Sequence, residues 1–416
     1  VLSTPELISE SSQLDQLVEW LPRWREVPLY RAVLAGCAGT DLNCFQRLPL
    51  LGKRGMRENF PHNFFAQPGA LESLLEQNLV EREHTSGTSE ERLPVIFPRG
   101  WWDAQEQRAL RLNGFVAKVL DEFPNARRVT ITSPACNGLT CPTVWMSREQ
   151  RVIGNALFVN LARIPFVLSE AELARMTAEI TEWAPQFLDV DPVQGAWFAL
   201  YCERQGIKFP SLKFILCSYE FVSVVHRKIL ARVFGVPVFN LYGSTETGHL
   251  LMENERGELK PSYETAFLEI SEPDASGIGE LVVTTLSNDY MPLLRYRIGD
   301  LAEKHALPYG NNFIIHGRAR DALRAADGSR VTTWQVDECF AAVDGIAHYE
   351  LRQNEDGQSV LRFIPDANPP TEESLQGLTS RLQTRLKSPT EIKGEAMTTL
   401  VPAASGKFRL TCRTTA

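Results

Sequence analysis

The sequence lacks a long hydrophobic run. Its longest apolar stretch, ALFVNLARIPFVL, is interrupted by Asn160 and Arg163, which makes it too short and too polar to span a bilayer. A block of basic residues is also missing, and the formal net charge is -8. Neither a membrane nor a nucleic acid is therefore an expected partner. No apolar secretory segment opens the chain, which begins VLSTPELISE; the start at valine reads as processed or trimmed. With 8 widely spread cysteines, this predicts a cytoplasmic protein with free thiols. Cys136 and Cys141 are joined by no second Cys/His pair at ligand spacing, so they read as ordinary buried thiols. Internal repeats and low-complexity tracts are absent.

What is present is a normal globular balance, 44% hydrophobic and 23% charged, over 416 residues. That length exceeds one small core and predicts two or three domains. Helical spacing marks the first thirty-odd residues, with Pro22 as a break. LPLLGKRGMRENFPHNFFA reads as a loop, a short helix and a turn. LPVIFP, RRVTITSP, FLDVDP, LKFILCS and PVFNLYG read as strands. EAELARMTAEITEWAP and VVHRKILARVFG read as helices, the second ended by Gly235. This alternation predicts a layered, parallel α/β core. From ETAFLEI through GELVVTTL to PLLRYRIGDLAEK the pattern turns antiparallel and β-rich. After a junction at HGRARDALRAADG, the remaining segment reads as a small α+β unit.

Five short stretches could carry chemistry. TSGTS, from Thr85, offers hydroxyls, a glycine and backbone N–H groups to a phosphate. It is not the common P-loop, and a capped turn is the alternative. In NLYGSTETGH, Tyr242 offers a flat ring, Thr245 a hydroxyl and Glu246 a hard oxygen for Mg²⁺; a plain strand-end turn is the alternative. RYRIGDL places Asp300, able to accept both hydroxyls of a ribose, or else a solvated turn acid. HGRARD carries Arg318, a fixed fork of donors or a surface cation. PAASGKFRL ends in Lys407 on a flexible Ser-Gly pair, a mobile charge or a tail lysine.

Taken in order, these stretches resemble the adenylate-forming (acyl-activating) superfamily, and within it the phenylacetate–CoA ligase family. That family has a Ser/Thr/Gly phosphate loop, then Y-G-x-[ST]-E, Y-R-x-x-D, G-R-x-x-D and G-K-x-x-R-type motifs. The chain has TSGTS, YGSTE, YRIGD, GRARD and GKFR in the same order, and the similarity extends to VPLYRAVL and LPLLGKRGMRENFP. The resemblance implies a large N-terminal domain of layered α/β subdomains with a β-rich subdomain, residues 1–319. A small mobile α+β lid, residues 320–416, would follow.

The resemblance also implies roles. Thr85, Ser86, Gly87 and Thr88 would hold the phosphates of ATP. Ser218, Tyr219 and Glu220, in place of the family's G-A-E, would line adenine and the acyl group. Tyr242 would stack on adenine, with Gly243 and Ser244 also at the nucleotide. Thr245 would touch the α-phosphate and Glu246 would bind Mg²⁺. Asp300, helped by Arg318, would hold the ribose; Arg320 would be the hinge and Lys407 the catalytic lysine. The implied activity is AMP-forming activation of an aromatic carboxylic acid, then transfer to coenzyme A. A carrier-protein thiol acting in trans, or an amine, is the alternative acceptor; a non-catalytic nucleotide-binding relative is the third reading. A homodimer is left open.

Three departures stand out. The loop continues Ser89, Glu90, Glu91, Arg92 where the family has T-G-x-P-K, so Arg92 is the candidate for the missing lysine and ATP binding is expected to be weak. Cysteines that hold zinc in some relatives are missing from LAEKHALPYGNNF, and His249 and His305 alone make a poor site, so no zinc is expected. Finally, SYE is bulkier than G-A-E, which points to an acid other than phenylacetate.

Overall fold

The structure, a computed structural model, describes residues 10–35, 42–85, 92–133, 146–308 and 310–414. The chain forms two compact units, Val1–Asn113 with Tyr242–Ile314, and Gly114–Leu241 with Ile315–Ala416.

In the first unit, helix Glu10–Trp24 runs through Pro22 without a break. An interior proline costs about 3 kcal/mol, but Leu17, Leu21 and Trp24 are all buried along one stripe. Each contributes roughly 1.5–3 kcal/mol, so packing outweighs the local penalty. Strands Val80–His84 and Pro94–Pro98 form an antiparallel hairpin in which Val80 faces Pro98 and His84 faces Pro94. The expected strands at 266–271, 279–285 and 296–307 pair antiparallel in sequence order. Strands Leu259–Pro261 and Gly248–Glu253 are likewise antiparallel. Cys44 is disulfide-bonded, against the expectation of free thiols throughout; its partner lies outside the described residues, as do Cys136 and Cys141.

In the second unit, strands Arg128–Ile131, Phe187–Val190, Phe214–Cys217 and Val238–Ser244 lie side by side and parallel. Phe187–Val190 and Phe214–Cys217 are buried at every position, as a sheet covered on both faces requires. Helix Glu170–Trp183 is capped by the Ser169 side chain, helix Pro192–Gln205 by Asp191 and helix Val224–Phe234 by Ser223. Gly235 ends the last of these in the left-handed region, where a residue with a Cβ would be strained. Ile346–Gln353 and Ser359–Pro365 pair antiparallel, with Lys393–Ala396 and Thr411–Arg413 added parallel at the edges. The expected helix WQVDECFAAV is only one turn, Thr333–Asp337, tightening to a 3₁₀ turn at Glu338–Phe340.

A single apolar cluster contains residues of both segments of this unit, from Val129, Leu188 and Ile229 to Phe340, Tyr349 and Leu410. The segment expected as a lid thus shares a core with 114–241. Among the described residues, no helix is long and apolar enough to cross a membrane.

Candidate active site

In the first unit, Tyr242-Gly243-Ser244, the last residues of strand Val238–Ser244, turn into strand Gly248–Glu253. The turn is closed by the Thr247 N–H on the Ser244 carbonyl, 3.2 Å, and by a 3.0 Å contact between their hydroxyls. Gly243 is required here, because a Cβ would stand 2.2 Å from the Gly248 carbonyl oxygen.

Strand Tyr296–Leu307 of the same sheet supplies the partners. Its register against Gly279–Thr285 shifts opposite residues 298–300, and Gly299 takes φ 89°. Such a bulge re-aims the following side chain. Asp300 is buried and accepts the Tyr242 hydroxyl at 2.6 Å. Glu246, also buried, accepts the Tyr296 hydroxyl at 3.1 Å and lies 3.6 Å from the Lys53 ammonium. Tyr242 is therefore tied to Asp300, and Glu246, in the turn, to Tyr296 and Lys53; Tyr296 opens the YRIGD motif but was given no role, and Lys53 was not singled out. His249 packs 5.1 Å from the Trp102 ring and 3.8 Å from the Glu106 carboxylate, while His305 bonds Glu303.

The TSGTS stretch begins at Thr85, directly after hairpin strand Val80–His84. Thr85 and Leu93 close its base: the Thr85 N–H donates to the Leu93 carbonyl at 3.0 Å and the Leu93 N–H to the Thr85 hydroxyl at 3.1 Å. Ser86, Gly87, Thr88, Ser89, Glu90 and Glu91 lie outside the described residues, and Arg92 is exposed.

In the second unit, the Lys407 ammonium donates to the Tyr219 carbonyl at 2.5 Å, and the Phe408 N–H donates to the Glu220 carboxylate at 2.8 Å. Asp191 joins this cluster. Burial pushes its carboxyl up to about 6, against the pull of two helix N–H groups and the Lys407 charge. Burial, with the Asp191 charge beside it, raises Glu220 well above the usual carboxylate range. Beneath the turn, Asp189 accepts the Ser218 and Tyr219 hydroxyls, each at 2.8 Å. Arg318 is half-buried and Arg320 exposed; the next residue, Asp321, pairs with Arg409 of the GKFR motif at 2.5 Å. Burial raises the Asp321 carboxyl and Arg409 opposes the shift.

Asp189 and Asp191 had one readable signal. FLDVDP puts two carboxylates at the carboxyl end of a parallel strand, where open α/β sheets bind ligands. Arg409 and Asp321 were inside their motifs but had no separate signal, because only folding pairs them.

No protein-family model matches the chain. A phenylacetate–coenzyme A ligase of Pseudomonas putida is 25% identical over 358 residues, 80% of this chain and 75% of that protein. Another, from Thermus thermophilus, is 24% identical over 378 residues, 84% and 78%. Among solved structures, a 2-hydroxyisobutyryl-CoA ligase in the postadenylation state with R3-HIB-AMP matches at TM-score 0.67 and 18% identity, over 93% of this chain and 85% of that one. The large mixed α/β architecture agrees with that fold.

Proposed function

We infer that this adenylate-forming, phenylacetate–CoA ligase-like chain is an AMP-forming acid–thiol ligase. It would activate a carboxylic acid with ATP and transfer the acyl group to the thiol of coenzyme A. The observation that carries this reading is the seating of Lys407 on the Tyr219 carbonyl, beside Glu220 and Asp191. The curated relatives of similar sequence are phenylacetate–coenzyme A ligases, which favours an aromatic acid; the bulk of Tyr219 favours one shaped differently from phenylacetate.

In the first half-reaction a carboxylate oxygen of the acid attacks the α-phosphorus of ATP. A P–O bond forms, pyrophosphate leaves and the acyl-adenylate remains. Negative charge grows on the α-phosphate oxygens, and Lys407 with Thr245 would stabilise it. Asp300 would accept from the ribose hydroxyls while Tyr242 fixes its carboxylate. Mg²⁺ would neutralise phosphate charge when bound, with Glu246 as its protein ligand; a single carboxylate plus substrate phosphates suits this ion. In the second half-reaction the thiol sulfur attacks the acyl carbon, the C–O bond to AMP breaks, and the thiol proton leaves to solvent. Lys407 would withdraw as residues 320–416 turn about Arg320.

The decisive test is acid-dependent exchange of pyrophosphate into ATP across aromatic and aliphatic acids, followed by thioester formation with coenzyme A. Exchange with no acid in the panel would overturn the reading. Exchange without thioester formation would move the acceptor to a carrier protein or an amine.

A further inference from the structure

The turn at Ser218-Tyr219-Glu220 is strained. Tyr219 has φ 72°, and the Glu220 N–H donates to the Ser218 carbonyl at 2.8 Å. A bond between residues two apart around a positive φ is the rarer, strained form of the γ-turn. Non-glycine residues persist in such a conformation only where their surroundings over-determine it. Here the over-determining group is Asp189. It is buried at the end of strand Phe187–Val190, and its two oxygens accept from Ser218 and Tyr219 separately. Two successive side chains are tied to one carboxylate, which leaves the turn little freedom to relax.

The clamped turn presents two acceptors to the same short segment. The Tyr219 carbonyl takes the Lys407 ammonium and the Glu220 carboxylate takes the Phe408 N–H. We propose that Asp189 is a positioning residue: by holding the Ser218–Tyr219 turn in its strained form, it builds the seat on which the Lys407 segment docks. In this role Asp189 acts through the turn, by the two hydroxyls it accepts. The proposal rests on the acid–thiol ligase reading for its kinetic consequence but not for its structural one.

The structural arm is hydrogen exchange of the whole protein, read at the segment 403–410. Asp189→Ala should speed exchange of the Phe408 amide by about tenfold, the equivalent of one modest hydrogen bond. Unchanged protection would overturn the proposal whatever the activity. The kinetic arm separates the half-reactions. Asp189→Ala should lower acid-dependent pyrophosphate exchange by about tenfold or more, yet transfer from pre-made acyl-adenylate to coenzyme A should stay within about twofold. Asp189→Asn should restore most of the loss, since its amide can accept from Ser218 and donate to the Tyr219 oxygen. Equal loss in both halves, or no rescue by asparagine, would reduce Asp189 to a structural residue. If Asp189→Ala does not fold, Tyr219→Phe removes one of the two clamping bonds and is read the same way; full protection and full exchange in that variant would likewise overturn the proposal. If wild type shows no pyrophosphate exchange with any acid, the functional reading fails and the amide measurement still decides the positioning role.

Discussion

The two regions that carry the motif residues are built differently. Around Tyr242, Glu246 and Asp300, two carboxylates are held by tyrosine hydroxyls from strands of one sheet. Around Lys407, two carboxyls are pushed upward by burial and meet a segment nearly two hundred residues away in sequence. The first arrangement is preorganised by the sheet that contains it. The second is built by contacts between segments far apart in the chain, the Ser218–Glu220 turn and residues 407–408.

Lys407→Ala is the largest expected break in this comparison. Adenylate formation should fall by on the order of 10²-fold or more, the loss of one electrostatic stabiliser. Transfer from pre-made adenylate should stay near wild type. Comparable loss in both halves, seen by single-turnover kinetics, would erase the distinction between the two regions.

Asp300→Ala probes the preorganised side. Loss of a charged acceptor should weaken ATP binding by roughly 1.5–3 kcal/mol, measured by calorimetry, with little change in acid affinity. Tyr242→Phe should give a smaller loss in the same direction, because it removes one hydrogen bond to the Asp300 carboxylate and leaves the carboxylate in place. Wild-type ATP affinity in both variants would show the ribose assignment to be wrong.

A pH experiment sharpens the docked side. His226 and His348 are buried with ring nitrogens 3.1 Å apart, His348 lying between Phe166 and Phe408. Burial lowers His226 to about 3 and also depresses His348. The unfolded rings bind protons near pH 6.5 and the folded rings do not, so stability is lost as pH falls below about 6.5. At pH 5 this amounts to about 2 kcal/mol for His226, and His348 acts in the same direction. Asp191 and Asp337, raised to about 6, act in the opposite sense, since the folded form holds the extra proton. Between pH 7 and 5, His348→Gln should therefore flatten the fall in unfolding midpoint; an unchanged slope would dismiss the ring pair as its source.

Arg92→Ala is the smallest effect expected, a rise of a few fold in the ATP requirement if Arg92 stands in for the loop lysine, in line with an exposed charge worth under about 1 kcal/mol. Unchanged ATP kinetics would leave it a surface arginine. Lys53, 3.6 Å from Glu246, would then be the next cation to vary.

Much of this protein was legible without a structure. The parallel strands FLDVDP, LKFILCS and PVFNLYG read as short apolar runs, EAELARMTAEITEWAP as a helix, and VVHRKILARVFG as a helix with Gly235 at its end. These signals are local: backbone geometry, capping and side-chain period act within a few residues. The order of the motifs was legible for the same reason, since each is a short run at a strand end or turn. Three outcomes depended on tertiary contacts instead. Helix Glu10–Trp24 passes Pro22 because of the burial of Leu17, Leu21 and Trp24. Asp321 is paired with Arg409, and the Tyr219 turn is clamped by Asp189 beneath Lys407. Nothing in a linear pattern states which buried carboxylate will meet which cation, because that choice is made by packing elements far apart in the chain. Sequence determined the elements and the chemistry available at their ends; tertiary structure decided which of those groups face one another, since burial and partner charge arise only when the chain is folded.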